Sequence, residues 1–180
     1  MKNILLIVFI AIVALSFGQE TTVINENPEK EKKISYSFIN EYGFGVGRSF
    51  EYGYLWWEMV GVFVNGIRFN KTQDEIGIGV GSEYMLFFQQ SFPIFLNYRH
   101  CFPSKKNIKP LINIGVGTRL YFYRGHEPWE DRKLHCYPGL YSTVAIGFKV
   151  KAFSFTAGVC VKSWGINFFG GTEIKAGFTF

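Results

Sequence analysis

The sequence predicts an all-β protein, namely a closed antiparallel eight-stranded up-and-down transmembrane β-barrel preceded by a cleavable signal peptide. Three observations predict this class. Alternate residues over 75–84 read Glu-Gly-Gly-Gly-Glu on one parity and Ile-Ile-Val-Ser-Tyr on the other, which is the period of a β-strand. The same alternation returns at 111–122, 143–150 and 173–180. Finally, 20 Phe and 10 Tyr accompany a charged fraction of only 18%, below the roughly 25% of a typical soluble domain.

The segment before the first strand has the pattern of an export signal. Lys2 gives a positive start, and residues 4–15 are apolar without a break. This run is too short to span a bilayer as a helix, but it has the length of a signal hydrophobic region. Ser16 and Gly18 place small residues at a cleavage site, so we expect a signal peptide at 1–18. An uncleaved anchor helix is the alternative. Residues 19–33 are then a flexible periplasmic leader, and the barrel covers 34–180.

Eight strands are predicted in the barrel region, at 34–47, 56–69, 75–86, 93–102, 110–123, 139–150, 153–162 and 171–180. The connections that follow even strands are short, while most of those that follow odd strands are longer. Outer-membrane barrels have short periplasmic turns and longer extracellular loops. The even strand number therefore predicts that both mature termini lie in the periplasm.

The apolar parity of the strands could face lipid, or it could fill the centre of a soluble barrel such as a lipocalin. The polar parity is rich in glycine, which gives room inside a small barrel but weakens an exposed strand. Aromatic residues concentrate near strand ends, as they do at membrane interfaces. The final residue, Phe180, continues the apolar parity of the last strand. These features favour an apolar face that meets lipid.

Four runs carry a resemblance to a known family: Gly-Ile-Arg-Phe-Asn at 66–70, Gly-Ile-Gly-Val-Gly at 77–81, Pro-Ile-Phe-Leu-Asn-Tyr-Arg at 93–99 and Lys-Ala-Gly-Phe-Thr-Phe at 175–180. The chain resembles the small outer-membrane β-barrel proteins of Gram-negative bacteria, which are similar in architecture to the transmembrane domain of outer membrane protein A. The resemblance implies a location in the cell outer membrane. It also implies that the barrel-assembly machinery reads Phe178 and Phe180 as an assembly signal.

Charged residues on the inward parity are the first candidate site. We predict an ion network inside the barrel made by Glu41, Glu83, Arg99, Arg119, Glu173 and Lys175. Glu75 shares this parity, and Lys149 and Lys162 lie near strand ends. An eight-stranded interior is only wide enough for side chains, and an unpaired buried ion costs several kcal/mol. We therefore expect a salt-bridged plug. A narrow or gated ion path is the alternative.

Tryptophans expected on the extracellular side, in the external connections or at the adjoining strand end, form the second candidate site, a surface for interaction: Trp56, Trp57, Trp129 and Trp164. Exposed aromatic residues in loops often mark interaction surfaces. They could equally belong to the outer aromatic girdle. Arg124, Arg132 and Lys133 could meet the phosphates of lipopolysaccharide.

No motif predicts catalysis, a cofactor or a metal. Potential ligands gather in one external loop, but Pro128 prevents a shared helical face: these are His126, Glu127, Asp131, His135 and Cys136. Ser82 and Ser142 face outward without a histidine at matching depth, so the acid–base pair that an enzyme needs is missing. We expect free thiols at Cys101, Cys136 and Cys160. Because no Lys/Arg-dense stripe occurs, nucleic-acid binding is not expected.

Taken together, the sequence predicts a monomeric, porin-like outer-membrane barrel of structural or adhesive type, with a plugged polar lumen. Its predicted partners are outer-membrane lipid and lipopolysaccharide. A small passive channel or transport accessory is the second hypothesis. A lipid-modifying enzyme is the third.

Overall fold

The computed structural model describes residues 34–51, 53, 55–85, 89–105, 107–124 and 134–180. The predicted signal peptide and leader lie outside these ranges. Eight strands follow one another in the order β1 (Ile34–Ser49), β2 (Leu55–Phe69), β3 (Asp74–Met85), β4 (Gln89–Cys101), β5 (Ile108–Arg124), β6 (Leu134–Val150), β7 (Phe153–Trp164) and β8 (Asn167–Thr179). Each strand pairs antiparallel with its neighbour, and β8 pairs with β1 to close the barrel. The predicted fold class is confirmed.

The apolar parity of the strands faces outward. Ile78, Val116 and Ile146 are 60%, 51% and 68% exposed. Inward neighbours on the same strands are buried, as at Glu83, where 0% of the surface is accessible. Within the described ranges, no helix has the length and hydropathy needed to cross a membrane.

The connections divide between the two ends of the barrel. One end, which we call the turn end, carries residues 70–73, 102–107 and 151–152 between strands, together with Phe180. The opposite end, which we call the loop end, lies where β1, β3, β5 and β7 end, and its described connecting residues are 50, 51, 53, 165 and 166. The described tip at 165–166 has only two residues, so the expected asymmetry in length does not hold for every hairpin.

Several strands extend further toward the loop end than the sequence predicts. β4 begins at Gln89 instead of Pro93, and β6 begins at Leu134 instead of Gly139. The prolines that suggested a boundary lie inside these ladders, since Pro93 is in register with Arg119 and Pro138 with Leu120. The loss of one N–H at each proline is tolerated there without ending the strand.

The predicted loop at 163–170 is wrong. β7 and β8 stay paired up to Trp164 and Asn167, and only Gly165 and Ile166 form the turn. Gly165 has a φ of 52°, in the left-handed region that glycine enters without strain. A tight turn is therefore possible where the aromatic residues suggested a loop.

An inward and an outward glycine differ in the space that is available for a side chain. A Cβ at Gly79 would collide with the ring of Phe95, which lies across the interior face of β3 and β4. At Gly61, on the outer face, a Cβ would meet only the Tyr42 ring, at 3.4 Å. The inward glycines therefore allow large side chains to fill the centre.

Candidate functional site

The interior contains a dense group of charges on its loop-end side. We call it the loop-end charge cluster, and it consists of Glu58, Glu83, Glu173, Arg119, Lys162 and Lys175, all of which are buried. Strands β2, β3, β5, β7 and β8 each contribute inward-facing members. Three carboxylates and three cations balance in formal charge, so the cluster can be held without an external counter-ion.

Lys162 is the centre of this cluster. Its ammonium group forms ion pairs with Glu58 and Glu173 and lies 2.6 Å from Glu83 Oε1. The second cation, Lys175, lies 2.7 Å from the other oxygen of Glu173. Four strands of the barrel are thus tied together by one buried lysine and its partners.

Arg119 is held more loosely than Lys162. Its Nη1 atom lies 3.4 Å from Glu83 Oε2, and its guanidinium group lies 5.7 Å from the centre of the Tyr121 ring. Ser91 donates a hydrogen bond of 2.7 Å to the same Glu83 oxygen. Within the described residues, none of the three guanidinium nitrogens makes a hydrogen bond of normal geometry.

A second set of ion pairs lies on the turn-end side of the interior. Arg99 pairs with Glu41, and Ser154 donates a hydrogen bond of 3.1 Å to the same carboxylate. Closer to the turn end, Glu75 lies 2.6 Å from Arg68 Nε and 3.3 Å from Lys149 Nζ. The six side chains predicted for the ion network are therefore all inside the barrel, but they divide into two groups.

Two clusters of buried apolar side chains pack beside these charges. An apolar layer is formed by Ile39, Val60, Val62, Val64, Phe95 and Tyr141. An apolar cap is formed by Trp56, Met85, Tyr121, Cys160 and Phe169. Along β2 the inward positions pass from Trp56 in the cap through Glu58 to the valines of the layer. The interior thus contains packed apolar side chains in addition to the predicted charges.

The layer and the cap both touch the central lysine. Lys162 Nζ lies 5.6 Å from the centre of the Trp56 ring and 5.5 Å from the centre of the Tyr141 ring. The Phe95 and Tyr141 rings contact each other with centres 4.8 Å apart. Toward the turn end, the recess lined by Ser37, Ile39 and Asn97 has no space for a water molecule.

The sequence analysis did not identify Glu58 as an inward residue, and it placed Lys162 only near a strand end and not in the ion network. The alternation in β2 is ambiguous, because valines occupy one parity while glycine, phenylalanine and asparagine occupy the other. Pairing supplies the missing signal, since Glu58 is in register with Gly45, an inward glycine of β1. For Lys162 the signal is parity, because it shares the inward parity of Ser154 and Cys160 in β7. This alternation alone would have placed Lys162 inside the barrel.

The predicted tryptophan surface is only partly supported. Trp56 is wrong as a loop residue, because it lies in β2 and is buried in the apolar cap. Trp57 is exposed, but it is also in β2, where it packs against Phe44 with ring centres 5.3 Å apart. Trp129 lies outside the described residues, and only the backbone of Trp164 is described, at the end of β7.

The remaining candidates are spread apart. Cys136 belongs to β6 and not to a loop, and it is exposed, while Cys101 and Cys160 are buried; all three are free thiols. His126, Glu127 and Asp131 lie outside the described residues. Elsewhere, the ligand atoms of Glu58, Cys160 and Glu173 lie within 4.8 Å of one another. Lys162 already supplies the positive charge between the two carboxylates, so this arrangement is explained without a metal.

The outer aromatic residues at the end of the chain pack on one another. The Phe178 and Phe180 rings are stacked with centres 6.3 Å apart, and Phe153 of the neighbouring strand meets Phe178 at 5.8 Å. Phe180 exchanges backbone hydrogen bonds with Phe38 of β1. The residues predicted as an assembly signal thus lie at the seam where the barrel closes.

Comparison with solved structures identifies this architecture. Neisserial surface protein A matches with a TM-score of 0.57 and 12% identity, covering 83% of this chain and 100% of that chain. The fold is that of the small eight-stranded outer-membrane barrels. The outer-membrane enzyme PagL (TM-score 0.52, 12% identity) covers 77% of this chain and 98% of its own. Ail, the attachment invasion locus protein of Yersinia pestis, matches with a TM-score of 0.50 and 13% identity, covering 80% of this chain and 98% of that chain.

The likeness is one of structure. No protein-family model matches the sequence, and no curated protein matches it. At 12–13% identity, barrels with different roles share this backbone, so the role has to be argued from the side chains of this chain.

Proposed function

We propose that this protein is an integral outer-membrane barrel with a closed interior, whose role is structural or adhesive and not that of a channel. The outward-facing belt of aliphatic and aromatic side chains supports a position in lipid. The observation that carries the proposal is the filled interior, in which ion pairs and clusters of apolar side chains are both buried.

A channel needs a continuous path of water or of polar groups. Here an ion entering from the loop end would first have to displace the apolar cap, and then break the contacts of Lys162 with three carboxylates. It would next cross the layer around Phe95 and Tyr141. Moving an ion through such an apolar constriction is strongly unfavourable. The interior therefore favours a plug.

The loop end supplies the surface for interaction. Ile166 is 88% exposed at the tip of the β7–β8 hairpin, and Phe50 and Leu55 are exposed at the neighbouring β1–β2 connection. Phe50 N–H donates a hydrogen bond of 3.0 Å to the Phe168 carbonyl, which joins the two tips. Exposed apolar side chains that are grouped in this way mark interaction sites. One barrel of this fold is named as an attachment protein, which is compatible with such a role.

Planar-bilayer recording of the refolded protein tests the closed interior. We expect no unitary currents from the native protein. The variant Phe95→Ala, which removes a ring from the apolar layer, serves as the control for a less filled interior. Discrete currents from the native protein that change when Arg119 or Glu83 is replaced would reject the plug and support the channel hypothesis.

Binding of protein-coated beads to host cells or to matrix proteins tests the loop-end surface. We expect binding to fall when Phe50, Leu55 and Ile166 are together replaced by serine. The matched control replaces three aliphatic residues of the outer belt, which lipid covers. Equal binding by both variants would remove the adhesive part of the proposal and leave a structural role.

A further inference from the structure

We propose that the turn end of the barrel binds the headgroups of anionic phospholipids through a rim of lysines. The inference rests on the proposed position in a membrane and adds a lipid class to it. Each of the three turns at this end carries an exposed lysine: Lys71 in the β2–β3 turn, Lys105 in the β4–β5 turn and Lys151 in the β6–β7 turn.

The topology distributes these lysines around the rim. In a closed up-and-down barrel, the three turns follow one another around the circumference, and the β8–β1 seam occupies the fourth position. The three lysines are therefore spread around one end of the barrel. Such an arrangement suits many separate lipid headgroups better than a single compact ligand.

The carboxylate side chains described at this end are fewer than the exposed lysines, and only Asp74 is partly exposed. Asp74 accepts a hydrogen bond of 2.8 Å from Tyr98 Oη, and its Oδ1 atom lies 2.7 Å from His100 Nδ1. Glu75 is buried and pairs with Arg68 and Lys149. Among the described side chains of the turn end, exposed lysines therefore outnumber exposed carboxylates.

The loop end has no comparable rim in the described part of the chain. Its described connecting residues are Phe50, Glu51, Gly53, Gly165 and Ile166, of which only Glu51 is charged. Among the described connecting residues, lysines are thus found at the turn end and not at the loop end.

The lysines adjoin the lipid-facing surface directly. Val150 and Phe153 flank the Lys151 turn. Tyr98 in β4 and Phe102, the first residue of the connection that carries Lys105, are exposed. Aromatic side chains of this kind lie at the headgroup level of a bilayer. A lysine at that level is attracted to an anionic surface, and its flexible stem lets it follow a headgroup. A lipid headgroup is therefore favoured over a soluble polyanion.

Electron spin resonance of spin-labelled lipids tests the proposal in vesicles of phosphatidylcholine that contain the refolded full chain. We expect labelled phosphatidylglycerol to associate with the barrel about twofold more strongly than labelled phosphatidylcholine. The preference should decrease at high salt, which screens exposed charges. The triple variant Lys71→Gln, Lys105→Gln, Lys151→Gln should lose it, while the matched Lys→Arg triple variant should retain it.

The measurement separates the two proposals. An immobilised fraction of labelled phosphatidylcholine shows that the protein contacts lipid, whatever the charge preference. Its absence would contradict the membrane position itself. If the immobilised fraction is present but equal for both lipids, or if the glutamine variant keeps the preference, the lysine rim is wrong. Displacement of the labelled lipid by millimolar glycerol phosphate would also overturn it in favour of a soluble phosphate ligand.

Discussion

Inward and outward glycines should differ sharply in how well they tolerate substitution by alanine. Gly79→Ala should destabilise the barrel by about 1–3 kcal/mol, because its Cβ has no room beside the Phe95 ring. Gly61→Ala is the matched control. Its Cβ points away from the interior and meets only the Tyr42 ring. Urea unfolding of the refolded proteins, followed by tryptophan fluorescence, measures both changes, and equal midpoints would contradict the packing of Phe95 on Gly79.

The buried lysine should be the most sensitive single residue. Lys162→Met leaves Glu58, Glu83 and Glu173 without their shared cation, and removing one partner of a buried ion network costs about 3–5 kcal/mol. Lys71→Met, at an exposed turn position, should change the free energy of unfolding little. The double variant Lys162→Met, Glu58→Gln should recover part of the loss. An unchanged unfolding midpoint for Lys162→Met would show that the network contributes no net stability.

Most of the strands and their outward faces could be predicted from the sequence alone. The number of strands, their order and the outward face of β3, β5, β6 and β8 follow from alternation, because these strands carry glycine or charge on one parity and aliphatic residues on the other. β2 could not be assigned in this way. Its inward face holds valines that complete the apolar layer, so both of its faces contain apolar residues, and only pairing with β1 places Glu58 and Trp56 inside.

The ends of strands were less predictable than their centres. Residues 163–170 were predicted to lie between two strands, yet backbone pairing continues up to Trp164 and Asn167. Pro93 and Pro138 suggested starting points, yet each is accommodated within a ladder. Local composition does not show whether a neighbouring strand is present to supply hydrogen bonds. Because the barrel is closed, every strand has a neighbour on both sides.

The β7–β8 hairpin tests the corrected strand ends. Gly165→Ala should destabilise the protein by about 1–2 kcal/mol, since a residue with a Cβ is strained at the left-handed φ of Gly165. Ile166→Ala, one position later on the exposed tip, is the control and should have little effect. If the two variants unfold alike in urea, the tight turn is absent and the predicted longer loop is the better description.

For the whole molecule, closure of the sheet predicts a resistant barrel. All eight strand pairs are hydrogen-bonded, so no edge is available from which unfolding could begin. We expect the refolded protein to migrate faster on detergent gels before heating than after it. Replacing Lys162 with methionine should lower the temperature at which the mobility changes. A single mobility at all temperatures would contradict a closed, tightly packed barrel.

The central claim is that aliphatic side chains meet lipid while charged side chains fill the centre. Nitroxide labels at Ile78, Val116 and Ile146, placed in a variant without native cysteines and reconstituted in vesicles, test it most directly. The account predicts frequent collision with oxygen and little with a water-soluble nickel chelate, and the opposite for a label at Lys71. Chelate accessibility at the three outer sites equal to that at Lys71 would contradict it.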